Sequence, residues 1–161
     1  MSGPVHVPVA LRWSDMDAYG HINNTDYLRL LEQARVEGLP LHRDPGVTGF
    51  LVVRNEIEYL RPLAYRSAPV TVTMWCTSVG GAGFDLGYSI ATQGNDPDEA
   101  PQLPDQRQSA DQQTVHAVAA TTLVAYDFPT QRPRRLTADE RAELDAIAGP
   151  AVSFRRRATT P

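Results

Sequence analysis

Residues 14–24 read SDMDAYGHINN, and residues 25–39 continue with TDYLRLLEQARVEGL. The first stretch is short polar chemistry with a glycine in it. The second is rich in Leu, Glu, Gln, Ala and Arg, all good helix formers. The junction between them decides the fold. It predicts a loop that feeds a helix from Thr25 to about Gly38, with Asn23 or Asn24 as N-cap and Asp26 complementing the helix dipole. Gly38 and Pro40 are stop signals. Tyr27, Leu28, Leu30, Leu31 and Ala34 occupy more than one stripe, so the expectation is an embedded helix rather than a surface one.

Outward from this junction the pattern changes to strands. Val5 to Trp13 reads as a first strand, and Pro8 assigns it to an edge or a strand start. In residues 50–60, Val53, Asn55, Ile57 and Tyr59 alternate with Arg54, Glu56 and Glu58, the two-residue period of a half-buried strand. Residues 69–79 alternate Val70, Val72, Met74 and Cys76 against Thr71, Thr73, Trp75 and Thr77. GGAG at 80–83 reads as a turn, after which Phe84, Leu86, Tyr88 and Ile90 alternate with Asp85, Gly87 and Ser89. Val115 to Tyr126 is a long last strand. Thr137, with Glu140 three residues on, caps a short helix that Gly149 stops. The expected class is α+β: an antiparallel sheet of about five strands around one long helix, which satisfies the apolar surface of both.

Residues 1–150 are expected to form a single domain. Within it, residues 94–113 are polar and proline-bearing and read as an exposed insertion. Residues 151–161 carry three arginines and read as a flexible basic tail. The chain of 161 residues is 42% apolar and 21% charged, enough to build a core. Its net charge of −4 argues against a nucleic-acid partner, since such binding runs on basic surface. Cys76 is the single cysteine, which rules out an intrachain disulfide and fits a reducing compartment. The N-terminus lacks the layout of a signal peptide, and no apolar run reaches the roughly 18 residues of a membrane span. The expectation is a cytoplasmic protein with no membrane partner.

The polar stretch is the place to look for chemistry. Carboxylates before a helix are most often turn formers or caps. Here Asp17 lies seven residues before Asn24, with Gly20 between them to permit a tight fold-back. Such a loop sets a carboxylate beside the first free N–H groups of a helix, a ready oxyanion site suited to acyl transfer. A metal reading of Asp15, Asp17 and His21 lacks the remaining ligands, and His6, His42 and His116 are isolated, so no metal is expected. No Gly-x-Ser-x-Gly elbow, dinucleotide fingerprint or P-loop is present. Cys76, on the apolar set of its strand, reads as a small buried hydrophobe rather than a nucleophile.

The run of Asp15, Asp17, Gly20, His21, Asn23, Asn24 and Tyr27, followed by Glu32, Ala34 and Arg35, resembles the hotdog-fold acyl-CoA thioesterases of the 4-hydroxybenzoyl-CoA thioesterase type. The resemblance spans about residues 5–148, and NEIEYLRPL at 55–63 adds to it. It implies a thioesterase that hydrolyses an acyl-CoA or acyl-carrier-protein thioester. It implies Asp17 as catalytic carboxylate, acting as nucleophile or general base, and the backbone N–H of Asn24 as oxyanion donor. His21 joins the catalytic loop; Asn23, Tyr27, Tyr59 and Arg61 are expected to meet substrate, and Asp15 to hold the loop. Trp75 and Phe84 are further aromatic candidates for the pocket, and Arg54, Arg61 and Arg66 for the CoA phosphates. No cofactor is implied, because coenzyme A belongs to the substrate. The resemblance also implies a homo-oligomer, a dimer or tetramer, with active sites at subunit interfaces. A noncatalytic acyl-CoA or acyl-carrier binding or dimerisation module is the alternative.

Overall fold

The computed structural model describes residues 3–39, 41, 47–93 and 113–155. Six antiparallel strands and two helices make it up: β1 (Val5–Val9), α1 (Asp26–Gly38), β2 (Thr48–Tyr59), β3 (Val70–Val79), β4 (Gly83–Gln93), β5 (Gln113–Asp127), β6 (Arg132–Pro133) and α2 (Ala138–Ala146). The strand order is β1-β3-β4-β5-β2, with β6 paired to the end of β5. One apolar core unites the sheet with α1, from Val7, Val9, Leu30 and Leu31 to Met74, Leu86, Tyr88 and Ala119.

The alternation in β3 and β4 is realised as read. Val70, Val72, Met74 and Cys76 are buried, as are Phe84, Leu86, Tyr88 and Ile90. Gly80 N–H closes the hairpin between them on Gly83 O at 2.7 Å. The capping box of α2 also forms: Glu140 N–H donates to Thr137 Oγ1, and Thr137 N–H to Glu140 Oε2.

Three expectations change. The first strand stops at Val9 instead of Trp13, because Val9 pairs with Val70, where its partner β3 begins. Beyond it the chain turns into a 3-10 turn at Trp13–Asp15. Helix α1 occupies the expected span but buries one face, through Tyr27, Leu30, Leu31, Ala34 and Arg35. Leu28 and Val36 stay 40% and 62% exposed, so the helix lies on the sheet rather than inside it within a single chain. The alternation of β2 does not give a buried face either. β2 is an edge strand with a bulge after Val52, and Leu51, Val52 and Val53 are exposed.

Of the expected insertion, residues 94–112 lie outside the described residues, and Gln113 already belongs to β5. Pro40 and His42 also lie outside them. Within the expected tail, Arg155 N–H donates to Glu58 Oε2 at 2.8 Å, and just before it Trp75 Nε1 donates to Pro150 O at 2.6 Å. Residues 156–161 lie outside the described residues. Among the described residues no helix is long and apolar enough to cross a membrane.

Candidate active site

The loop before α1 is built by its two aspartates, which face different partners. Asp15 is buried, and its Oδ2 meets Arg29 NH2 from the first turn of α1 in an ion pair. The same oxygen accepts Arg12 N–H at 2.7 Å, and the Asp15 carbonyl accepts Asn23 N–H at 2.8 Å. Asp15 therefore ties both ends of the loop to the helix. The sequence reading gave it that holding role but missed Arg29, which lies fourteen positions away. An arginine inside the apolar first half of α1 was the available signal.

Asp17 turns the other way. Its Oδ1 accepts Tyr19 N–H at 2.8 Å and His21 N–H at 3.1 Å, and its own N–H donates to His21 O at 2.7 Å. Gly20, at φ +80°, makes this fold-back possible. One carboxylate oxygen is thus fixed by backbone, and the other, Oδ2, meets no donor among the described residues.

The helix start lies alongside. Asn23 Oδ1 accepts Thr25 N–H at 3.2 Å and Asn23 O accepts Asp26 N–H at 2.9 Å, which turns the chain into the helix. The N-cap position, however, is Thr25, without a side-chain cap bond, and not the expected Asn23 or Asn24. Among the described residues nothing accepts Asn24 N–H. The Asn24 carbonyl is held by the Tyr59 hydroxyl at 2.9 Å, and the Tyr59 ring packs edge-on against Tyr27 with centroids 5.0 Å apart. Burial, with the Tyr59 charge adding, pushes the Tyr27 phenol up to about 12, so Tyr27 is neutral at physiological pH.

These groups line an open cavity of about 460 Å³, within the usual size of ligand sites. Asp17, His21, Asn23, Asn24, Tyr27, Tyr59 and Arg61 all line it. Seven residues singled out from sequence, on the loop, α1 and the end of β2, thus meet at one place. Ile22, Leu60, Pro62 and Leu63 complete the wall; Leu60, Pro62 and Leu63 lie in the NEIEYLRPL stretch but were given no individual role. Phe84 and Trp75 lie elsewhere. Phe84 packs in the core against Phe50, and Trp75 bonds to Pro150. Arg54 pairs with Glu56 at 2.7 Å, beside a separate outer depression. Arg35 of the helix motif is buried and donates to the Tyr88 hydroxyl on β4, which makes it a fold anchor. Cys76 is buried, and desolvation, with Asp145 and Asp85 adding, pushes its thiol up to about 11.

The model of the thioesterase-like superfamily matches residues 11–144, and the chain belongs to that family. The long-chain acyl-CoA thioesterase FadM of Escherichia coli strain K12 is 28% identical over 144 residues, covering 86% of this chain and 96% of FadM. The crystal structure of YbaW, a probable thioesterase from Escherichia coli, superposes with a TM-score of 0.63 at 28% identity, covering 89% of this chain and 98% of YbaW. A predicted thioesterase from Bacillus stearothermophilus gives a TM-score of 0.71 at 22% identity, covering 93% and all (100%) of the two chains, and shares the fold. The antiparallel sheet with its helix is thus the hotdog fold that the motif implied.

Proposed function

We propose that this chain hydrolyses acyl-CoA thioesters at the Asp17 cavity. The observation that carries the reading is the split Asp17 carboxylate, with Oδ1 held by two backbone N–H groups, in one cavity with Asn24; among the described residues nothing donates to Oδ2 and nothing accepts the Asn24 N–H. The thioester carbonyl oxygen takes the Asn24 N–H, which stabilises the negative charge that develops there. Losing one such donor typically costs about 3 kcal/mol of barrier.

Two routes lead from this geometry. In one, Asp17 Oδ2 attacks the carbonyl carbon, the CoA thiolate leaves and takes a proton, and water cleaves the mixed anhydride to free acid and regenerated carboxylate. In the other, Oδ2 takes a proton from a water that attacks the carbonyl directly. In a single turnover in ¹⁸O water, label in Asp17 identifies the first route with water attacking the anhydride at the Asp17 carboxyl carbon. His21 acts through its backbone, which holds Asp17 from both sides. Asn23, Tyr27, Tyr59 and Arg61 position the substrate, with Arg61 as the cation available to a CoA phosphate in the cavity wall.

FadM is a long-chain acyl-CoA thioesterase, so a long acyl chain is the first substrate class to try; an acyl-carrier-protein thioester is the second. A second copy of the chain covers the exposed edge of β2 and the outer face of α1, which makes α1 central in the resulting dimer. Exposed Leu51, Val52, Val53, Leu28 and Val36 support that assembly. The test is thiol release from short, long and aromatic acyl-CoAs by the purified chain. Turnover of one class names the substrate. Saturable binding with no release from any of them would move the assignment to a noncatalytic binding module.

A further inference from the structure

We propose that His116 is a positioning residue of this site, whose buried imidazole fixes the 60–63 wall of the cavity and, through it, the loop that carries Asp17. The proposal rests on the thioesterase reading for its kinetic consequence, but not for its structural one.

His116 lies on β5 and is 5% exposed. It does not line the cavity. Its Nδ1 is 2.9 Å from the Pro62 carbonyl, and its Nε2 is 3.0 Å from Thr92 Oγ1 on β4. A carbonyl only accepts, so Nδ1 carries the proton and donates. In the neutral ring Nε2 then accepts the Thr92 hydroxyl hydrogen, and Thr92 sets the ring's orientation. The backbone carbonyl of the same histidine accepts Leu60 N–H at 2.8 Å and Arg61 N–H at 3.2 Å. One residue therefore holds three consecutive residues beyond the end of β2.

That segment needs such an anchor. Pro62 has no N–H, so it cannot join a ladder as a donor. The hold then passes on through backbone bonds. Leu63 O accepts Ile22 N–H at 2.8 Å, and Ala64 bridges to His21. His21 in turn is bonded to Asp17 through both its N–H and its carbonyl. The path from the imidazole to the carboxylate is continuous, and it crosses the cavity wall on the way.

The experiment compares His116→Leu, His116→Asn and Thr92→Val with the intact chain. It reads KM and kcat on the acyl-CoA that the intact chain turns over fastest, together with amide hydrogen exchange. His116→Leu removes the donor, His116→Asn keeps a donor near Nδ1, and Thr92→Val frees only Nε2. The expected result for His116→Leu is a KM raised about tenfold, the size expected when a buried carbonyl loses its partner, with a smaller fall in kcat, because the 60–63 wall is held directly and the Asp17 loop only through it. Exchange at Ile22 and Arg61 should accelerate while the β3 and β4 amides hold. His116→Asn should recover most of KM, and Thr92→Val should raise it less. Wild-type KM and wild-type exchange at Ile22 in folded His116→Leu would overturn the proposal. If His116→Leu does not fold, the same criteria apply to Thr92→Val. If the intact chain turns over no acyl-CoA, the thioesterase reading falls, and exchange at Ile22 still decides whether His116 holds the loop.

Discussion

At the scale of single residues, environment separates groups that composition leaves equivalent. Asp15 and Asp17 are two positions apart. One is buried against Arg29, and the other lines a cavity, with an oxygen that meets no donor among the described residues. Cys76 shows the same principle in reverse. Burial disfavours the thiolate and pushes its thiol up from the usual thiol range near 9 to about 11. The unfolded chain therefore loses this proton near pH 9 and the folded chain near pH 11. Between those values the native state binds more protons, so stability falls as pH rises. Two units at about 1.36 kcal/mol each make the full effect about 3 kcal/mol. Urea unfolding from pH 8 to 11 should show that loss in the intact chain and a smaller one in Cys76→Ala. Parallel curves for the two would contradict this account of the thiol.

At the scale of elements, the loop and α1 form one unit joined by Asp15 and Arg29. Arg29 is half-buried, but removing it leaves the buried Asp15 carboxylate without its cation, which costs about 2 kcal/mol, below the cost in a fully buried pair. Arg29→Leu should therefore lower stability by about that amount and slow turnover, since the loop that presents Asp17 loosens. Arg54→Ala breaks an ion pair whose side chains are 69% and 45% exposed, and should change stability by less than about 0.5 kcal/mol. Thermal unfolding of both variants checks the contrast. Comparable losses from the two would argue against Asp15 as the loop's anchor. The same unit shows what the sequence could disclose. The helix span, the β3–β4 hairpin and the capping box of α2 follow from periodicity and turn chemistry within a few residues, so they were readable. The seven residues that meet in the cavity were marked by a motif and its resemblance. Arg29 and His116 act through partners far along the chain, and no local pattern announces them. The end of β1 was unreadable for the same reason: it is set by where β3 begins.

At the scale of the whole molecule, the exposed face of β2 and the outer face of α1 are what a sequence pattern reads as buried. Val53 is 59% exposed in the single chain, although its alternation marks it as half-buried. The proposed second copy would reconcile the two. Val53→Lys places a charge on that edge and should shift sedimentation from dimer towards monomer, with the fold intact by circular dichroism. An unchanged dimer would move the interface elsewhere. Cavity, loop and edge lie close together at the end of β2, where Tyr59 reaches Asn24. The assembly and the chemistry are therefore expected to depend on each other.

The central claim is that Asp17 performs the hydrolysis. The most direct measurement is thiol release by Asp17→Asn beside the intact chain, on the best acyl-CoA of the panel, with folding checked by thermal unfolding. Asparagine preserves the two backbone hydrogen bonds to Oδ1 and removes the reactive charge. The account predicts a folded variant whose kcat falls by about a hundredfold or more. A folded Asp17→Asn that releases thiol at the rate of the intact chain would contradict it.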